Sequence, residues 1–144
     1  MKKILYCVMC AVFFSCSQDD QELEREKFIG TYSGTQTVTM YINNELIGSD
    51  YQAGTEIIDA GNFEDQVIIG KGSKNEVSAT VFESSLSIVT QPIFVNMDDG
   101  TKAIFSTSGT GILSGKNLTI NLDMKSTIDG DIYRYVVKEI LVKN

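Results

Sequence analysis

Leu118-Thr119-Ile120-Asn121-Leu122-Asp123-Met124-Lys125 alternates apolar and polar side chains without a break. A period of two is the spacing of a β-strand with one buried and one solvated face, whereas helical apolar positions recur every three to four residues. Turn formers bound the stretch on both sides, Ser114-Gly115-Lys116-Asn117 before it and Asp129-Gly130 after it. Working outward, 102–113 reads as a long strand on one flank and 131–143 as its counterpart on the other. The three have matched lengths and short connections, which is how an antiparallel meander is written.

Toward the N-terminus the same vocabulary of Thr, Val, Ile, Tyr and Phe continues back to Phe28. A first strand over 30–42 puts Val38, Met40 and Ile42 on one face and Thr35, Thr37 and Thr39 on the other. Asn43-Asn44 then makes a tight turn, since Asn tolerates positive φ. Gly48, Gly54 and Gly61 interrupt 45–63, which reads as a loop holding one short strand over 55–59. Short strands are expected at 66–70, 77–81 and 86–89, with a loop at Lys71-Gly72-Ser73-Lys74-Asn75. Pro92 marks an edge or a bend, and Asp98-Asp99-Gly100 a turn. Gly109 and Gly111 inside a long strand suit the bending a barrel needs. Eight or so consecutive strands favour an all-β domain, an up-and-down barrel or a sandwich. The barrel is preferred because long strands at both ends can pair and close it.

Composition narrows the chemistry. The chain of 144 residues carries a formal charge of −7, which becomes −9 once Lys2 and Lys3 leave with the leader. Such a surface repels phosphate backbones, so nucleic acid is not an expected partner. With no histidine, the commonest general base and the commonest transition-metal ligand are both missing. The three cysteines are Cys7, Cys10 and Cys16, so a mature chain beginning at Cys16 has a single thiol and no internal disulfide.

Lys2 and Lys3 followed by the apolar run 4–14 read as a signal peptide, a helix too short to span a bilayer. An ordinary secretory signal cut elsewhere is the competing reading. Ser15-Cys16 resembles the end of a bacterial lipobox, although Phe13 and Phe14 stand where that pattern prefers Leu and a small residue. The resemblance implies a lipid-bearing Cys16 as the first mature residue. Ser17-Gln18-Asp19-Asp20 resembles the acidic export signal of Bacteroidota-type lipoproteins, which implies an outer-membrane, surface-exposed address. The same four residues also serve as a solvated linker. Gln21-Glu22-Leu23-Glu24-Arg25-Glu26-Lys27 are good helix formers, and one or two helical turns are expected there. The chain thus divides into a signal peptide (1–15), a lipidated acidic tether with a short helix (16–27) and a barrel domain (28–144).

The barrel itself resembles the small lipocalin-like, or calycin-like, lipoproteins of Bacteroidota. Phe28-Ile29-Gly30-Thr31-Tyr32-Ser33-Gly34-Thr35 and Gly111-Ile112-Leu113-Ser114-Gly115-Lys116-Asn117-Leu118-Thr119-Ile120 carry the likeness. Lipocalins proper open with Gly-x-Trp and pack a late arginine across the tryptophan. Gly30-Thr31-Tyr32 stands in the first place, and the resemblance implies Arg134 for the second, a structural plug at the barrel end. The alternative for Arg134 is a solvent-facing partnership with a nearby acid.

No nucleotide, Gly-x-Ser-x-Gly or metal signature is present. Gly70-Lys71-Gly72-Ser73 lacks the helix a phosphate loop needs, and Asp98-Asp99 and Asp129-x-Asp131 lack the spacing of a calcium loop. No catalytic residue, metal or cofactor is expected beyond the covalent lipid. The leading expectation is a binding protein holding a small apolar or glycan ligand, for which an open barrel interior is the requirement. An interaction module docking a surface protein through 45–65 or 71–75 stands beside it. A hydrolase would need acids converging in a cleft with perturbed pKa values.

Overall fold

The computed structural model describes residues 23–97 and 100–144. The leader, Cys16, the Ser17–Asp20 run and Asp98-Asp99 lie outside the described residues. The described chain is one closed barrel of eight antiparallel strands, each hydrogen-bonded to the next in sequence and the last to the first. In order they are β1 (Gly30–Ile42), β2 (Glu45–Ala60), β3 (Gln66–Ile69), β4 (Val77–Phe82), β5 (Ser85–Asn96), β6 (Lys102–Ser114), β7 (Asn117–Ile128) and β8 (Asp131–Lys143). This is the up-and-down barrel the alternation implies, and the terminal strands close it from Tyr32 opposite Lys143 to Ile42 opposite Tyr133.

The turns follow from backbone chemistry. Asn43 and Asn44 have φ of 51° and 69°, and Asp129 and Gly130 have 53° and 92°. Positive φ at both central residues gives the hairpin twist that matches the flanking strands. Asn43 also ties the two hairpins together, its side chain bonding Asp131 Oδ1 at 2.8 Å and the backbone N–H of Ile132 at 3.0 Å.

Inward positions carry the core: Tyr32, Ile58, Val67, Ala79, Val81, Leu86, Phe105, Leu118, Ile120 and Leu141 are all buried. Outward positions of β7 are Thr119, Asn121, Asp123 and Lys125. Elsewhere the outer surface is mixed, with Phe94, Ile104, Ile112, Ile132, Ile140 and Val142 exposed on β5, β6 and β8. The 3-10 turn Glu24–Lys27 precedes the barrel and leads to Phe28 in the closed end, and the start of the expected 21–27 helical turns lies outside the described residues. Phe28 is fully buried, Tyr32 Oη donates to its carbonyl at 2.9 Å, and Arg25 Nη1 reaches the Phe63 carbonyl at 2.7 Å.

Two strands differ from the sequence expectation. The region 45–60 is one continuous strand, β2, and not a loop with a strand inside. From Glu45 to Thr55 every residue is exposed, so neither face carries an apolar alternation to read. β5 likewise runs past Val89 to Asn96, with its register to β6 shifted between Ile88 and Gln91. Past that bulge the Gln91 side chain takes over from the backbone ladder, accepting from Ser78 N–H at 3.0 Å and donating to Ser78 C=O at 2.7 Å. Pro92 sits where β5 is paired to β6 but no longer to β4, an edge that tolerates the missing N–H.

β3 has 4 residues and β4 has 6, against 12 to 16 in the other strands. β2 meets β3 only over Ile58–Ala60, and β5 meets β4 only over Ser85–Ser87. Above these short strands β2 and β5 lack a strand partner on their facing sides, and the 70–76 connection lies between them, with Lys71 N–H donating to the Ile57 carbonyl at 3.0 Å. The barrel is therefore packed at one end and accessible from the side at the other.

Candidate functional site

The opening leads into a cavity of about 360 Å³, within the range that holds a small ligand. Its walls are Val38, Ile69, Val77, Ile93, Val95, Leu122, Met124, Tyr135 and Val137, all inward positions of their strands. Phe105, below, packs its ring 5.3 Å from that of Tyr135 at 59°, joining the cavity to the core.

Ser73 and Asn75 of the β3–β4 connection and three polar side chains on the strands interrupt this apolar surface. Gln36 on β1 and Glu139 on β8 are directly opposite each other in the β1–β8 register, and Gln36 Nε2 donates to Glu139 Oε1 at 2.8 Å. Glu56 on β2 joins them. Glu139 is only 6% exposed, and its second oxygen, Oε2, is buried without a hydrogen-bond partner. Thr107 Oγ1, the other buried side-chain atom without a partner among the described residues, does not line the cavity.

The electrostatics follow from the burial. Desolvation, and secondarily the neighbouring Glu139 charge, push Glu56 up from the ordinary carboxylate range to about 7. Burial also raises Glu139, against the opposing hydrogen bond from Gln36. The same three residues border a second cavity of about 200 Å³, beside the cross-strand glycines Gly34 and Gly54. Gly70, with φ of 74°, lets the loop pass close by: a Cβ there would lie 2.9 Å from Ser73 Oγ and 3.0 Å from Glu56 Oε1.

Tyr32 and Arg134 do not form the barrel-end pair that the family resemblance implies. Tyr32 is fully buried beside Phe28, opposite Lys143, whereas Arg134 lies opposite Tyr41 near the other end of β1. At a strand rise near 3.3 Å per residue the two are separated by roughly 30 Å, beyond any side chain's reach. Arg134 instead holds Asp123 with both guanidinium arms, Nε to Oδ1 at 3.0 Å and Nη2 to Oδ2 at 2.9 Å. That bond keeps Asp123 below the usual carboxylate range. The nearby-acid alternative is the one found, with the guanidinium 5.9 Å from the Tyr41 ring centroid.

Gln36, Glu56 and Glu139 were not among the sequence candidates. Glu139 had a signal: in Tyr135-Val137-Glu139-Leu141 an acid occupies an inward position between apolar neighbours. Among the described residues no group of three or more His, Cys, Asp or Glu is arranged to hold a metal. Comparison with protein-family models, with curated proteins and with solved structures finds no match to the chain.

Proposed function

We propose that this chain is an outer-membrane lipoprotein, lipid-anchored through Cys16, whose barrel binds one small apolar ligand at the cell surface without catalysis and without a cofactor. The anchor reading rests on the leader, on Cys16 as the sole cysteine after it, and on the acidic Ser17–Asp20 run. The binding reading rests on a single observation: the apolar cavity of about 360 Å³ that opens through the side of the barrel above β3 and β4. An apolar ligand suits it better than a glycan, because Gln36, Glu56, Ser73, Asn75 and Glu139 are its only polar lining residues apart from the Tyr135 hydroxyl. Natively purified lipidated protein should yield a co-purifying small molecule by mass spectrometry, and Val38→Trp should eliminate it. Recovery of the same molecule from the folded Val38→Trp protein would refute the cavity as its site.

A second reading, an interaction module for another surface protein, is favoured by the β2 edge. Glu45–Ile57 has no strand on its outer side, and Leu46, Ile47 and Tyr51 are 64%, 56% and 66% exposed. An unpaired edge of this kind is a template for an added strand. Cross-linking of a partner to this edge, lost on Ile47→Lys, would support it; a full interaction after that substitution would remove it.

A further inference from the structure

We propose that the cavity selects an apolar molecule bearing an ammonium group, its cationic nitrogen held between the Glu139 and Glu56 carboxylates and its body against Val38, Leu122 and Met124. This rests on the cavity reading above and names the class of its ligand.

The argument starts from Glu139. A carboxylate that is 6% exposed needs its acceptors filled, and here Gln36 fills only Oε1. Oε2 is buried without a partner, on a side chain that lines the cavity together with a second acid, Glu56. An ammonium brings up to three donors and a positive charge, enough to bond Oε2 and Glu56 together. A neutral apolar molecule would leave Oε2 orphaned, and a fatty acid would add a third acid to two. A divalent cation of the calcium type takes six to eight oxygen ligands, more than these side chains supply.

The side chains that line the cavity from every surrounding strand include only three that ionise, Glu56, Glu139 and Tyr135, and none that is cationic. No lysine or arginine of the lining competes for the acids. In the empty site Glu56 keeps its proton up to about pH 7. An arriving ammonium displaces that proton, so binding releases it and tightens as the pH rises.

Calorimetric titration of the full chain with matched probes tests this: n-hexylammonium, 1-hexanol, hexanoate and calcium chloride, at pH about 6 and about 8. The ammonium should bind at least about tenfold more tightly than the alcohol at the higher pH, the gain expected of a charge-assisted hydrogen bond. Its affinity should fall as the pH drops through about 7, the range in which Glu56 takes up its proton. Glu139→Gln should remove the advantage over the alcohol while leaving alcohol binding intact, and Glu56→Gln should flatten the pH dependence. Equal affinity for ammonium and alcohol would overturn the ammonium class and leave the apolar cavity standing. Preference for hexanoate, or calcium competing with the ammonium, would overturn it as well. Binding of no probe, the alcohol included, would overturn both readings.

Discussion

Gln36 and Glu139 face each other across the β1–β8 seam, and the amide fills one carboxylate oxygen while leaving the other bare. This seam also closes the barrel, so the site and the closure of the fold share the same pair of strands. A buried, half-satisfied carboxylate costs stability, and its effect should be visible in how the protein responds to pH.

Glu56 is raised in the folded state to about 7 from a value of 4.5. A raised pKa means the folded state binds the extra proton, so its stabilising contribution is complete below about pH 4.5 and lost as the pH rises toward 7. The decline across that window should amount to at most about 3 kcal/mol. Thermal unfolding between pH 4.5 and 7.5 should show it, and Glu56→Gln should flatten it. Glu139→Gln should stabilise the protein by about 1 kcal/mol at pH 8 and by little at pH 4.5. Stability that rises through this window in the wild-type protein would contradict the assignment.

Tyr32→Phe removes the donor to the Phe28 carbonyl inside the closed end. Leaving that buried acceptor unpaired should cost about 1–3 kcal/mol. Phe28→Ala empties a fully buried aromatic site and should cost more, about 3–5 kcal/mol. Urea denaturation of the two variants should preserve that order.

Arg134 and Asp123 have side chains 39% and 33% exposed, so their bidentate bond is solvent-screened. A double-mutant cycle on Arg134→Ala and Asp123→Ala should return only a weak coupling. Concentrated salt should reduce it further. A strong coupling that concentrated salt leaves unchanged would contradict this solvent-screened pairing.

Gly34 and Gly54 are cross-strand partners with opposite tolerances. A Cβ on Gly34 would run into the Ile140 carbonyl and the Leu141 backbone, whereas one on Gly54 meets nothing within 4 Å. Gly34→Ala should therefore cost upwards of about 2 kcal/mol, by displacing β8 next to Glu139, and Gly54→Ala close to nothing. Chemical denaturation of the two single variants compares them directly.

Much of the fold was legible because it is half-buried. β1 and β7 each set an apolar face against a more polar one, and the turn residues Asn43-Asn44 and Asp129-Gly130 carry the φ values that a two-residue hairpin demands. β2 was not legible, since its first eleven residues, Glu45 to Thr55, are solvated on both faces and its glycines read as loop. The end of β5 was hidden for a different reason: its bulge shifts the alternation between Ile88 and Gln91. The site depends on two consecutive strands and a third about a hundred residues on, and only register brings Gln36, Glu56 and Glu139 together. Register also separates Tyr32 from Arg134, because a strand position far along β1 is fixed by pairing and not by motif.

The central claim is that the open half of the barrel is a ligand site. Titrating the full chain with a neutral apolar fluorophore such as N-phenyl-1-naphthylamine measures it most directly. Saturable binding in the micromolar range, abolished by Val38→Trp and by Val95→Phe in variants that keep the wild-type circular dichroism, is the predicted result. Binding that fails to saturate, or that survives both cavity-filling substitutions unchanged, would contradict it.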